Sequence, residues 1–216
     1  QVIDAAGMRR IVDAARKIGA VVLSDECYAL MAWNDANDAP ENREASIESS
    51  PCALRADVCG GDAYGVLVLY SLSKQSNMAG YRTACIAGDH TLVRAMTELR
   101  KQIGLIVPGP VQAAMAAGLR DMAAVREQHN RYYSRLSTLV EALRAYGYDA
   151  HMPQGALYIW VRTLGDDCWQ DMGRLADLGI VPSPGEFYGA PQYLRFSATA
   201  SDAQITEAAE RLHAAL

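Results

Sequence analysis

In the stretch YSLSKQSNMAGYR, Tyr70 to Arg82, a single lysine follows an apolar run and is bracketed by groups that bind oxyanions. Lys74 supplies a primary amine. Ser71 and Ser73, three and one residues before it, supply hydroxyls, and Arg82, eight residues after it, supplies a planar fork suited to phosphate. A lysine after a strand is by default a solvated surface residue, so its neighbours carry the functional reading. A reactive amine, phosphate-binding groups and an adjacent apolar sheet are together what a pyridoxal phosphate site requires.

A second group, SDECY (Ser24 to Tyr28), closes the apolar run AVVLS. The carboxyl ends of strands in an α/β sheet are where ligands bind. Asp25 at that place would stabilise a protonated pyridine nitrogen, since a carboxylate favours a neighbouring positive charge. Tyr28 would donate its phenol to the ring oxygen of the same cofactor. Taken alone, the pair reads equally well as a helix cap and a packing residue. A third group is Arg195, inside the apolar strand pattern YLRFSAT. A guanidinium stranded there without a partner would be costly. It is read either as a bidentate clamp for a substrate carboxylate or as half of a structural ion pair.

The elements that must position these residues follow from periodicity. Met8, Ile11, Val12 and Ala15 form a helical stripe that stops at Gly19. AVVLS (20–24), GVLVLYS (65–71) and TACIAGD (83–89) read as three strands of a buried sheet. Residues 34–61, rich in Asn, Asp, Glu, Ser and Pro, read mainly as connection. A helical pattern starts at Thr91 and breaks at VPGP (107–110), where prolines forbid a continuous helix. Val125, His129, Tyr132, Leu136, Leu139, Leu143 and Tyr146 then mark one long amphipathic helix ending near Gly147. His129 on its apolar side reads as a packing residue. Beyond it come a strand (156–162), a helix from Cys168, the strand of Arg195, and a last helix opened by a Ser201 and Gln204 capping box. Helix and strand in alternation give an α/β class for residues 1–119, and residues 120–216 form a linking helix and a smaller α+β domain.

Composition narrows the partners. A net charge of -5 offers no basic face for nucleic acid or an anionic membrane. Half the residues are hydrophobic and 21% charged, ordinary for a globular chain, and no apolar run is long enough to span a bilayer. The N-terminus lacks the regions of a signal peptide, which favours a cytoplasmic location. The five cysteines are odd in number and never spaced CxxC, and the four histidines are scattered, so reduced thiols and no metal are expected.

Taken together, Asp25 and Tyr28, then Ser71 and Lys74, then Arg82, then Arg195 resemble the class I and II aminotransferases of fold type I in order and spacing. PQGALYIWV (153–161) and VPSPGEFYG (181–189) are also similar to segments of that family's small domain. The resemblance covers essentially the whole chain and implies the C-terminal part of a pyridoxal-phosphate-dependent transferase large domain followed by the small domain. It assigns Lys74 as the catalytic lysine that carries pyridoxal 5'-phosphate, Asp25, Tyr28, Ser71 and Arg82 as further cofactor-binding residues, and Arg195 as the substrate clamp. Implied partners are a small amino acid and a 2-oxo acid, with a homodimer for the whole protein.

DECYALMAW and YSLSKQSNMAGYRTACIAGD are similar, more narrowly, to the N-succinyldiaminopimelate aminotransferases of lysine and cell-wall precursor synthesis. That implies N-succinyl-LL-2,6-diaminopimelate and 2-oxoglutarate as substrates. Other transaminases and a β-elimination lyase use the same scaffold and stay open. The chain opens in QVID immediately ahead of a helix, which reads as a cut edge. In the family, an N-terminal half supplies a phosphate loop, a ring-stacking aromatic residue and an asparagine, so an inactive fragment is a further reading. Recognition of a distal carboxylate is expected to come from outside this chain, and exposed apolar surface is expected to make the isolated chain associate.

Overall fold

The computed structural model describes residues 2–33 and 51–216, so residues 34–50 of the expected connection lie outside the described residues. The chain divides into two compact units, the first ending at Gln128 and the second spanning His129–Leu216.

The first unit opens with α1, Ala5–Lys17. Asp4 caps it by accepting from the Gly7 N–H at 2.6 Å, and Arg16 and Lys17 complement the dipole at its last turn. The chain leaves the helix through Gly19, whose φ of +68° is the left-handed conformation that glycine adopts freely. Val12 is fully buried, but Ile11 is half exposed, so the buried stripe is narrower than its spacing predicts.

Strand β1, Val22–Asp25, runs parallel to β2, Val66–Ser71, and β2 runs antiparallel to β3, Ala84–Gly88, in the order β1-β2-β3. Val66, Leu67 and Val68 of the central strand are buried. The expectation of three buried strands fails for the two outer ones. In β1 burial alternates and Leu23 is 63% exposed, and no residue of β3 is fully buried. In this sheet, among the described residues, only β2 has a strand on both sides. Val12, Ala53, Val58, Val66 and Val68 make the core of this unit. Ala53 and Val58 belong to the stretch read as connection, which contains a short helix, α2, Ala56–Cys59. Its apolar residues are too few to show a period.

Helix α3, His90–Gln102, is capped by Asp89, and α4, Gly109–Gly118, begins where VPGP breaks the helical pattern. Helix α5, Met122–Tyr146, begins in the first unit and continues in the second. Of the positions its period selects, Val125, His129, Tyr132, Leu136, Leu139 and Leu143 are buried, and Tyr146 at the last turn is half-buried.

In the second unit, β4 (Tyr158–Arg162), β5 (Ser183–Pro184) and β6 (Tyr193–Ser197) form an antiparallel sheet ordered β4-β6-β5. The two-residue β5 is too short to announce itself in sequence. Ile159, Val161, Leu194 and Phe196 turn inward, and the residues between them face the other way. Helix α6, Cys168–Asp177, is capped by Asp167, and α7, Asp202–Ala214, by the expected box in which Ser201 and Gln204 exchange hydrogen bonds. Asp171 is the polar node of this unit. Its fully buried carboxylate accepts from Tyr148 Oη at 2.9 Å, the Leu164 N–H at 2.7 Å, the Gly165 N–H at 3.0 Å and the Arg174 guanidinium.

Candidate functional site

Parallel pairing of β1 with β2 brings their carboxyl ends to one edge of the sheet, with Asp25 beside Leu69. Ser71 ends β2 two residues later, and β3 starts back from that edge with Ala84 across from Ser71. Lys74 and Arg82 therefore both belong to the connection that turns at this edge. Asp25, Tyr28, Ser71, Lys74 and Arg82 are gathered there by strand order alone. The Lys74 ammonium lies 5.7 Å from the centre of the Tyr28 ring, within cation–π reach.

The connection is built stiffly. Leu72 is fully buried, and its carbonyl accepts from the N–H groups of Ser76 at 3.2 Å and Met78 at 3.3 Å. Buried Gln75 accepts from the Tyr70 hydroxyl, whose pKa burial pushes up to about 12. Asn77 and Arg82 both sit at φ +51°, a conformation that costs an L residue roughly 1–2 kcal/mol and clusters at functional sites. Arg82 donates through Nη1 to the Ala79 carbonyl at 2.9 Å, which leaves its other side-chain donors without a partner among the described residues.

Ser71 is buried, and the Cys27 thiol lies near both Ser71 and Asp25, at the ends of the two parallel strands. Burial and the Asp25 carboxylate push this thiol's pKa up against the opposing pull of Ser71, so Cys27 stays protonated at neutral pH. The Asp25 carboxylate also accepts from the Cys27 N–H at 3.1 Å.

Strand alternation sends the next residue, Glu26, to the opposite, buried side. There it accepts from the Ser24 hydroxyl at 2.9 Å and the Ala53 N–H at 2.8 Å. Sequence reasoning missed Glu26 as the anchor of this strand end. The signal was the second carboxylate in SDECY, one residue out of phase with Asp25. Beside it the Cys52 thiol is pushed up to about 11, by burial first and by Glu26 second.

Arg195 belongs to the second unit. Its guanidinium lies between two tyrosine rings, 4.3 Å from the centre of Tyr158 and 4.6 Å from that of Tyr188. Its Nε is buried and unpartnered, and the side chain forms no ion pair with any described residue. Of its two readings, the structural ion pair is absent among the described residues. A half-buried cation held by aromatic faces and lacking an anion among the described residues is suited to an anionic ligand. Sequence reasoning did not single out the two tyrosines that hold it.

The donor set at the sheet edge fits pyridoxal phosphate. It comprises one amine, a carboxylate for the pyridine nitrogen, a phenol, and a hydroxyl and a guanidinium for phosphate. Arg82, strained and with unused donors, is the observation that speaks most directly for a bound anion. Among the described residues, no group of His, Cys, Asp and Glu is arranged to hold a metal ion, all five cysteines are free, and no helix is long and apolar enough to cross a membrane.

The family model described as aminotransferase class I and II matches residues 1–212. The chain is 42% identical over 207 residues to the 4-dedimethylamino-4-oxo-anhydrotetracycline transaminase OxyQ of Streptomyces rimosus, covering 95% of this chain and 54% of that protein. It is 30% identical over 208 residues to the LL-diaminopimelate aminotransferase of Oleidesulfovibrio alaskensis, covering 94% of this chain and 50% of that one. Among solved structures, BacF of Bacillus subtilis superposes with a TM-score of 0.80 at 22% identity, over 99% of this chain and 55% of its own. The Thermus thermophilus aspartate aminotransferase single mutant superposes with a TM-score of 0.76 at 22% identity, over 99% of this chain and 53% of its own. The chain spans about half the length of the curated relatives it matches. It belongs to the class I and II aminotransferases, a family that depends on pyridoxal phosphate.

Proposed function

We propose that the protein of which this chain is about half transfers an amino group between an amino acid and a 2-oxo acid, with Lys74 as its catalytic residue. The observation that carries the reading is the convergence of Asp25, Tyr28, Ser71, Lys74 and Arg82 on one edge of the first unit's sheet. When bound, pyridoxal phosphate would supply an electron sink for charge developing on the substrate α-carbon and would carry the amino group between the two substrates.

This chain's residues have separate tasks. Lys74 Nζ holds the cofactor at rest and, once released, moves the proton at the substrate α-carbon. Asp25 holds a proton on the pyridine nitrogen, because its carboxylate favours the charged form. Tyr28 donates its hydroxyl to the ring oxygen. Ser71 and Arg82 bind the phosphate, Arg82 as a fork. Arg195 orients the α-carboxylate so that the bond to be broken is presented in one direction. A homodimer completes the assembly.

For the substrates we propose N-succinyl-LL-2,6-diaminopimelate and 2-oxoglutarate, supported by the wording of DECYALMAW and QSNMAGYR. The 30% identity to an LL-diaminopimelate aminotransferase supports the same chemical class. The 42% identity to OxyQ favours a second reading, transfer to a polycyclic ketone such as that relative's 4-oxo-anhydrotetracycline. Both readings keep the same tasks for Lys74, Asp25, Tyr28, Ser71 and Arg82.

The test is the whole protein loaded with pyridoxal phosphate and assayed for glutamate formed from 2-oxoglutarate with each donor, alongside release of pyruvate and ammonia. Glutamate formation with N-succinyl-LL-2,6-diaminopimelate is expected. Ammonia release without glutamate would replace transfer by β-elimination, and no turnover with any donor would reject the assignment. Borohydride reduction of the chain with pyridoxal phosphate, followed by peptide mapping, is expected to place a single adduct on Lys74.

A further inference from the structure

Strands β4 and β6 present a second, more exposed face whose residues no step above uses except Arg195. Tyr158, Trp160 and Arg162 alternate there with buried Ile159 and Val161, and Tyr193 and Arg195 with buried Leu194 and Phe196. The register sets Trp160 opposite Arg195 and Arg162 opposite Tyr193. Directly opposed side chains share a face, so these four form a square.

Trp160 and Tyr193 lie on one diagonal and are stacked, with ring centres 5.3 Å apart and planes 10° apart. The two arginines lie on the other diagonal, on opposite sides of that stack. Tyr188 extends the aromatic surface, edge-on to Trp160 at 5.8 Å and beside Arg195. The Arg162 side chain is exposed and makes no hydrogen bond or ion pair with the described residues, and Arg195 makes none either. The face therefore offers two cations without counterions among the described residues, separated by an apolar aromatic surface. Its complement is a ligand with two negative charges joined by an apolar stretch.

Resting on the aminotransferase reading, we propose that this face is a two-point subsite for long acidic substrates. Arg195 takes the α-carboxylate, the Trp160–Tyr193 stack carries the methylene chain, and Arg162 takes a second acidic group. Arg162 is then the specificity-determining residue, and the substrate class is an amino acid or 2-oxo acid whose second carboxylate lies several methylenes from the first. A four-carbon diacid is too short to cross the stacked pair; a seven-carbon diacid crosses it. Recognition of the distal acid then begins within this chain, where the sequence had assigned it elsewhere.

The test is titration of the chain with pimelate, succinate and heptanoate, followed by the indole N–H resonance of Trp160, which Trp160→Phe identifies. Pimelate is expected to bind at least about tenfold tighter than heptanoate or succinate, a difference of about 1.4 kcal/mol. Arg162→Gln should abolish the preference for pimelate over heptanoate and leave heptanoate binding unchanged, Arg162→Lys should restore part of it, and Arg195→Gln should weaken both ligands. Equal affinities for pimelate and heptanoate, a preference that survives Arg162→Gln, or no response of the Trp160 resonance would overturn the proposal. Failure of the aminotransferase reading shows separately, as absence of turnover by the whole protein with every donor.

Discussion

The Lys74 ammonium stands 5.7 Å from the centre of the Tyr28 ring, although the two residues follow different strands. Parallel pairing of β1 and β2 is what brings them together, since it ends both strands at the same edge. An antiparallel pair would have sent SDECY and SLSK to opposite ends. The relation makes Lys74 a residue with one specific chemical neighbourhood, and its substitution a direct test. In the whole protein Lys74→Ala is expected to reduce turnover to background while leaving the fold intact by circular dichroism. Substantial retained turnover would remove Lys74 from the mechanism.

Arg195 should act chiefly on binding. Lysine keeps its charge but lacks the fork and cannot lie as a flat plate between Tyr158 and Tyr188. For Arg195→Lys the Michaelis constant for the amino donor is expected to rise about tenfold or more, as one strong charge-assisted hydrogen bond is worth about 1.5–3 kcal/mol. The turnover number should fall less. An unchanged Michaelis constant would count against the clamp, whatever happens to turnover.

Where periodicity and caps agree, the fold is legible. Helix α5 buries the six positions its spacing selects from Val125 to Leu143, and the Ser201 and Gln204 box caps α7. The gathering of the candidate residues of the first unit was legible because each lies near the end of an apolar strand or, like Arg82, just before the next one begins. Burial of the outer strands was not legible, because Leu23 and Leu67 are the same residue in the same kind of run, paired across one face. Leu67, with a strand on both sides, is 3% exposed, and Leu23, with one, is 63% exposed. Glu26 was hidden because a carboxylate beside Asp25 reads as more of the same until strand alternation turns it inward. The pairing of Arg162 and Arg195 across an aromatic stack depends on register, which two separate strands do not carry in their sequences.

The exposed apolar residues predict association. Val21 just before β1 and Leu23 in it, with Ile103, Leu105 and Ile106 after α3, are each 48–64% exposed, and β1 pairs on one side only among the described residues. Such an edge is a template for pairing with another chain. Light scattering of the purified 216-residue chain is expected to show mass rising with concentration. Leu23→Lys, which puts a charge on that edge, should lower it. A concentration-independent monomer would contradict this prediction.

Asp171 gives the second unit a pH dependence whose direction can be worked out. Burial pushes its carboxyl pKa up, but the donors from Leu164, Arg174, Tyr148 and Gly165 outweigh burial and hold it below the ordinary aspartate value. The unfolded chain therefore binds this proton at a higher pH than the folded chain. The stabilisation is fully present above the unfolded pKa, near 3.9 by the usual aspartate reference value of about that size, and is lost as pH falls through the folded pKa. Asp171→Asn leaves the two N–H groups and the Tyr148 hydroxyl facing an amide that also carries donors, and breaks the pair with the half-exposed Arg174. At neutral pH the cost is expected to be about 1–3 kcal/mol, the range for hydrogen bonds lost to a charged group. Urea unfolding at pH 7 and pH 3, read from the tyrosine signals of the second unit, should show the gap between wild type and variant narrowing at the lower pH. A gap of equal size at both would mean that packing at this position, and not the ionised carboxylate, holds the 164–165 turn against α6.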